Sequence, residues 1–116
     1  MGVRPGWEGR QREVQAPPGS SCPAYYATAM AAGWAAEEWA ELDHIMWRES
    51  RCTPEATHVN RNGSVDRGLL QINSVHRGWL AERGVSLEDL ADPATNLRAG
   101  RWLYEQSGWR PWAATN

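Results

Sequence analysis

The sequence predicts an α+β fold, predominantly α-helical, with one small β-hairpin near its middle. Three observations carry that prediction. Trp39, Leu42, Ile45 and Met46 recur at intervals of three and four, the spacing of one helical face. Asn62-Gly63, set between Val59 and Val65, is a strong hairpin-turn signal. Asp92-Pro93 opens, and Gly108 closes, a further stretch of helical spacing.

Residues 1–20 are polar and rich in Gly, Pro and Arg, without the apolar run of a secretory signal. They read as a flexible arm ending at Pro17-Pro18-Gly19, ahead of a domain over residues 21–116. Ser20 or Ser21 is placed to cap a first helix, with Pro23 in its first turn and Gly33 at its end. A second helix covers residues 35–51 and stops at Cys52, Thr53 and Pro54. The hairpin follows, and then GLLQIN over residues 68–73, a short strand or a buried connector. Ser74 is placed to cap a helix over residues 75–82. Ser86-Leu87-Glu88-Asp89 has the form of a capping box. Asp92 then caps a helix over residues 93–106.

Composition narrows the function. With 116 residues, 41% hydrophobic and 22% charged, the chain is long enough for one modest core and too apolar for disorder. No apolar run approaches the ~18 residues of a membrane span. A net charge of −2 argues against a protein that tracks phosphate backbones. No nucleic-acid or membrane partner is therefore expected. All twelve cationic residues are Arg, and eight Trp stand beside no Phe. Two cysteines are too few for a four-cysteine zinc site, and the three His show no paired ligand spacing. A Cys22–Cys52 bridge would tie the first two helices together, adding ~3–4 kcal/mol in the loop-entropy account. The alternative is two buried thiols.

Glu49 breaks the pattern, because it continues the apolar series of the second helix. Burial disfavours the charged form of a carboxyl, and so does the negative end of a helix. Both are properties a general acid needs. The alternative is a structural carboxylate paired with Arg48 or Arg51. Asp66 lies near the hairpin turn amid Asn60, Asn62, Ser64 and Asn73, whose polar groups would favour an ionised carboxylate. One neutral and one ionised acid across a cleft is what glycoside cleavage requires. The alternative for Asp66 is a turn carboxylate capping its own backbone. Trp39, Trp47, Trp79 and Trp102 fit core positions. Trp109 and Trp112 are candidates for stacking on sugars or for a lid on the core. His76 reads as a capping or surface residue, with a place in the cleft lining as the alternative.

The stretches IMWRESRC (residues 45–52), NRNGSVDRGLLQINS (residues 60–74) and DPATNLRAGRWLYEQSGWRPW (residues 92–112) resemble the lysozyme-like superfamily. That superfamily includes the chicken-type lysozymes and the bacterial lytic transglycosylases. The signature has three ordered parts: Glu-Ser at a helix end, G-[LI]-[LM]-Q-I-N, and N-L-x-A-G. The resemblance implies a lysozyme-like fold with a cleft beside the hairpin, and Glu49 as the catalytic acid followed by Ser50. It puts Gln71 and Asn73 in the cleft lining and matches Asn60, Asn62 and Ser64 to polar hairpin positions. Asp66 matches the second carboxylate of the chicken-type enzymes, and Tyr104 a cleft aromatic of the transglycosylases. The departures are a shorter hairpin turn, a longer loop before it, Arg67 where an aromatic is usual, and at most one disulfide. The expected activity is cleavage of the β-1,4 bond between N-acetylmuramic acid and N-acetylglucosamine, by hydrolysis as in a muramidase. Lytic transglycosylation is the alternative, and a non-catalytic wall-binding module is the alternative of another class. The expected partner is the peptidoglycan glycan strand, met by a monomer outside the cell or in the cell wall, of bacterial or phage origin. No metal or cofactor is implied.

Overall fold

The computed structural model describes residues 15–115; most of the expected N-terminal arm lies outside them. The last part of that arm is docked. Ala16 packs against the core, and the Ser20 backbone N–H and hydroxyl both donate to Pro17 O, at 3.2 and 2.7 Å. The Trp39 indole donates to the Ser20 hydroxyl.

The first helical segment is split. A 3-10 turn at Pro23–Tyr25 leads into α1, Tyr26–Ala31, and Gly33 ends it in the left-handed region at φ 106°. Neither Ser20 nor Ser21 caps it. The buried carboxylate of Asp43 accepts from Ser21 N–H at 2.8 Å and Cys22 N–H at 2.7 Å. A second 3-10 turn, Ala36–Glu38, enters α2, Trp39–Ser50. Leu42, Ile45 and Met46 on α2 are fully buried, as their spacing predicts. Trp47 is not a core residue: it is 41% exposed and lies under the Arg51 guanidinium.

The hairpin grows into a three-stranded antiparallel sheet, β1 Thr57–Val59, β2 Val65–Arg67 and β3 Ile72–Asn73, in that spatial order. Its turn is longer than the Asn62-Gly63 pair, because Asn60 N–H already donates to Ser64 O at 2.8 Å and closes the loop there. Asn73, rather than Ser74, caps the next segment by accepting from Val75 N–H, while Ser74 Oγ accepts from Val65 N–H. That segment is a 3-10 turn, Ser74–His76, followed by α3, Arg77–Ala81. Ser86 and Asp89 form the reciprocal capping box, ahead of a 3-10 turn at Glu88–Ala91. Asp92 caps α4, Pro93–Ser107, by accepting from Thr95 N–H at 2.9 Å. The chain closes with a 3-10 segment, Arg110–Thr115.

One buried side chain fixes the sheet to the helices. Asn96, with no exposed surface, accepts from Leu70 N–H at 2.9 Å and donates to Arg67 O and Leu90 O at 3.0 Å each. Gly68 makes room for it: φ is 81°, and a Cβ there would collide with the Asn96 amide and Leu90 O. Gly100 likewise admits the Leu70 side chain against α4. The strands that carry the polar site are thereby locked to α4. No described helix is long and apolar enough to cross a membrane.

Candidate active site

Glu49 is the penultimate residue of α2, and the helix ends abruptly after it. Arg51 and Cys52 both take left-handed conformations, at φ 53° and 60°, which are costly for non-glycine residues. Arg51 N–H closes on Trp47 O at 2.9 Å, and Cys52 is tied to Cys22 by a disulfide with Cα atoms 5.6 Å apart. These contacts hold the turn and with it the direction of Glu49.

Glu49 opens onto a cleft of about 200 Å³. Its side chain is only 10% exposed, and Oε2 is buried with no hydrogen-bond partner among the described residues. The nearest cation, Arg48 Nη2, stands 3.7 Å away and donates to Trp112 O at 3.0 Å. Arg48 therefore lends charge to Glu49 without a hydrogen bond. A buried carboxyl oxygen without a hydrogen bond costs roughly 1–3 kcal/mol.

Asp66 lines the same cleft, on β2 opposite Asn73 of β3 and His58 of β1. Both its oxygens are engaged: Asn60 Nδ2 donates to one at 3.1 Å and Asn73 Nδ2 to the other at 2.7 Å. Ser64 Oγ accepts from the same two amides and donates to Asn62 Oδ1. The polar residues of the hairpin thus form one network around Asp66. Gln71, held at φ 50°, donates its amide to Ala56 O and Gly68 O, which leaves Oε1 for the cleft.

A family model described as the transglycosylase SLT domain matches residues 27–114. The chain belongs to this family. It is also 42% identical to the invasion protein IagB of Salmonella typhimurium (strain SL1344) over 57 residues, 48% of this chain and 36% of that protein. The same values hold for IagB of Salmonella typhi. The X polypeptide of Escherichia coli is 33% identical over 75 residues, 64% of this chain and 44% of that protein. The chain thus spans less than half the length of the curated relatives it matches.

Within this SLT domain, Glu49, Asp66, Gln71, Asn73 and Trp112 line one cleft together with Ile72, His76, Leu103 and Pro111. Other candidates lie elsewhere. Ser50 is buried, and its hydroxyl donates back to Met46 O at 3.0 Å. Asn60 donates to Asp66, Ser64 Oγ accepts from the Asn60 and Asn73 amides, and Asn62 orders the exposed turn. Tyr104 and Trp109 pack against each other and against Trp34, with ring centroids 4.6 to 5.6 Å apart, away from the cleft. Trp112 is 4% exposed and donates its indole N–H to Leu70 O, so it is core and cleft wall at once.

His76 lines the cleft, the alternative that the sequence ranked below a capping or surface role. It lies two residues after the Ser74 hydroxyl that supports β2, and its ring meets Trp79 edge-on at 6.2 Å. Burial pushes its pKa below the ordinary 6.5, so it is neutral at pH 7. A neutral imidazole offers the cleft one donor and one acceptor without adding charge beside Glu49. Leu103 and Pro111 add apolar surface to the cleft lining.

Proposed function

We propose that this chain is a peptidoglycan lytic transglycosylase whose single essential acid is Glu49. The carrying observation is the nearly buried carboxyl of Glu49 in the cleft lining, whose Oε2 makes no hydrogen bond among the described residues. In the reaction, Glu49 donates its proton to the glycosidic oxygen between N-acetylmuramic acid and N-acetylglucosamine, and the C1–O bond breaks. The muramic C1 becomes oxocarbenium-like. Glu49, now a carboxylate, accepts the proton of the muramic C6 hydroxyl as that oxygen bonds to C1. The products are a 1,6-anhydromuramic end and a free N-acetylglucosamine hydroxyl, and Glu49 is protonated again. Every step uses this chain's own carboxyl, so no cofactor enters the scheme. The work takes place at the cell wall, outside the cytoplasm.

The sequence alone leans toward a muramidase because Asp66 is present. Membership of the SLT family supports the transglycosylase instead. So does the engagement of both Asp66 oxygens by amides, which makes Asp66 a poor nucleophile. Hydrolysis remains the second reading for one reason: Asp66 lines the same cleft as Glu49. Paired variants separate the two. Glu49→Gln is expected to abolish strand cleavage with the fold intact, and retained cleavage would remove Glu49 as the acid. Asp66→Asn is expected to keep most of the rate. A loss near that of Glu49→Gln would favour hydrolysis with Asp66 stabilising the cation.

A further inference from the structure

The turn that leads away from Glu49 is built from residues ill suited to it. Arg51 and Cys52 stand one after the other in the left-handed region, at φ 53° and 60°. Glycine takes that conformation freely, while an L side chain there crowds its own backbone. Local hydrogen bonds help: Arg51 N–H donates to Trp47 O at 2.9 Å, and Thr53 N–H to Ser50 O at 3.1 Å. The Arg51 guanidinium also lies 4.7 Å over the Trp47 ring, which is largely open to water. The Cys22–Cys52 bridge adds a covalent hold, three residues after Glu49.

The far end of that bridge is anchored to the same helix. Cys22 is 2% exposed, and the Ser21 and Cys22 N–H groups donate to the Asp43 carboxylate of α2. The Trp39 indole of α2 donates to the neighbouring Ser20 hydroxyl at 2.9 Å. The first half of α2 therefore fixes Cys22, and the bridge pins the turn after the last residues of α2 to that fixed point. Cys52 is only partly buried, so it is the end open to a thiol reagent. The rest of the cleft is held by other means. Asn96 and the Trp112 indole both bind the Leu70 backbone, next to Gln71. Loss of the bridge thus frees the acid and leaves the strand-binding residues in place.

We propose that the Cys22–Cys52 bridge is a redox switch on Glu49: oxidised, it keeps the acid in the cleft, and reduced, it lets the left-handed turn relax and stops cleavage while the fold persists. This rests on the reading of Glu49 as the acid. In the reducing step a dithiol gives up two electrons and two protons, the S–S bond breaks, and Cys22 and Cys52 become thiols. The dithiol leaves as its own disulfide, and a disulfide oxidant reverses the exchange. Thiols are kept reduced inside cells and oxidised outside them, so the chain is silent before export and active at the wall.

The test compares the full chain oxidised and after treatment with dithiothreitol, on soluble glycan strands, with far-UV circular dichroism of each form. Reduction is expected to lower kcat by roughly a hundredfold, the cost of misplacing a catalytic group by ~1 Å, with KM and the dichroism unchanged. Reoxidation should restore the rate. A folded, reduced chain that cleaves at the oxidised rate overturns the proposal. Loss of the dichroism together with the activity also overturns it, because the bridge then holds the fold and not the acid. Variants separate positioning from general stability. Cys22→Ser with Cys52→Ser is expected to be slow and indifferent to dithiothreitol. Cys22→Ser with Arg51→Gly and Cys52→Gly is expected to recover most of the oxidised kcat, because glycine holds the left-handed turn unaided. A bridge that merely stabilises predicts no such recovery, and its absence overturns the proposal. Failure of the underlying reading looks different: oxidised Glu49→Gln then cleaves like the oxidised wild type, or neither cleaves at all.

Discussion

Asn96→Ala is the perturbation whose effect follows most directly from the structure. Asn96 is fully buried and makes three hydrogen bonds to backbone atoms of two other segments. Truncation leaves Leu70 N–H and Leu90 O buried without partners, and Arg67 O partly so. At roughly 1–3 kcal/mol for each fully buried orphan, and less for the third, the expected loss is ~4 kcal/mol. That is a large part of the ~5–15 kcal/mol total stability of a domain this size. The assay is urea unfolding followed by Trp fluorescence, and the midpoint is expected to fall at an unchanged slope. Asn96→Asp keeps an acceptor for Leu70 N–H while losing both donors, so its cost should be comparable and not smaller than ~2 kcal/mol. A loss below ~1 kcal/mol for Asn96→Ala would refute the claim that this side chain locks the sheet to α4. Because Asn96 also holds the chain that leads into Gln71, the destabilised variant should lose cleavage activity as well.

Three further outcomes are expected. Reducing the Cys22–Cys52 bridge should lower stability by ~3–4 kcal/mol in a denaturant titration, and a change below ~1 would contradict it. Gly68→Ala should destabilise strongly, through both its left-handed backbone and the collision with Asn96 and Leu90; a near-neutral effect on the melting temperature would show that the segment relaxes. Stability should fall on acidification in two stages. Folding holds His76 neutral below its unfolded value of 6.5, so stability declines as pH drops from there through the lowered folded value. Asp92 accepts the Thr95 N–H and hydroxyl, which lowers its pKa, so its contribution is present above the unfolded value of 3.8 and lost below it. His76→Gln should remove the upper stage, and an unchanged upper slope would contradict the assignment.

What the sequence made legible was set by local physics. The α2 stripe was readable because Leu42, Ile45 and Met46 meet the core at helical spacing, and Glu49 was readable as the charge that extends it. The Ser86–Asp89 box and the Asp92 cap were readable because each satisfies N–H groups three residues away. The caps that were misplaced come from a distance. Asp43 reaches back from α2 to Ser21 and Cys22, and no local rule competes with a buried carboxylate from another helix. Asn73 caps the Ser74–His76 turn because Ser74 is taken by β2. The site shows the same division. Polar residues clustered in sequence around Asp66 do gather in space, since a hairpin brings them together. His76, Leu103 and Pro111 join the cleft only through packing of three separate segments, which no local pattern records. Tyr104 and Trp109 illustrate the converse, since aromatic character alone does not distinguish a sugar platform from a cluster around Trp34.

The central claim is that Glu49 works alone as acid and then base. Mass spectrometry of the soluble fragments released from purified peptidoglycan tests it most directly. Fragments ending in 1,6-anhydromuramic acid, absent with Glu49→Gln, are the predicted result. Fragments ending in reducing muramic acid would contradict it, and would return Asp66 to the chemistry as a partner of Glu49.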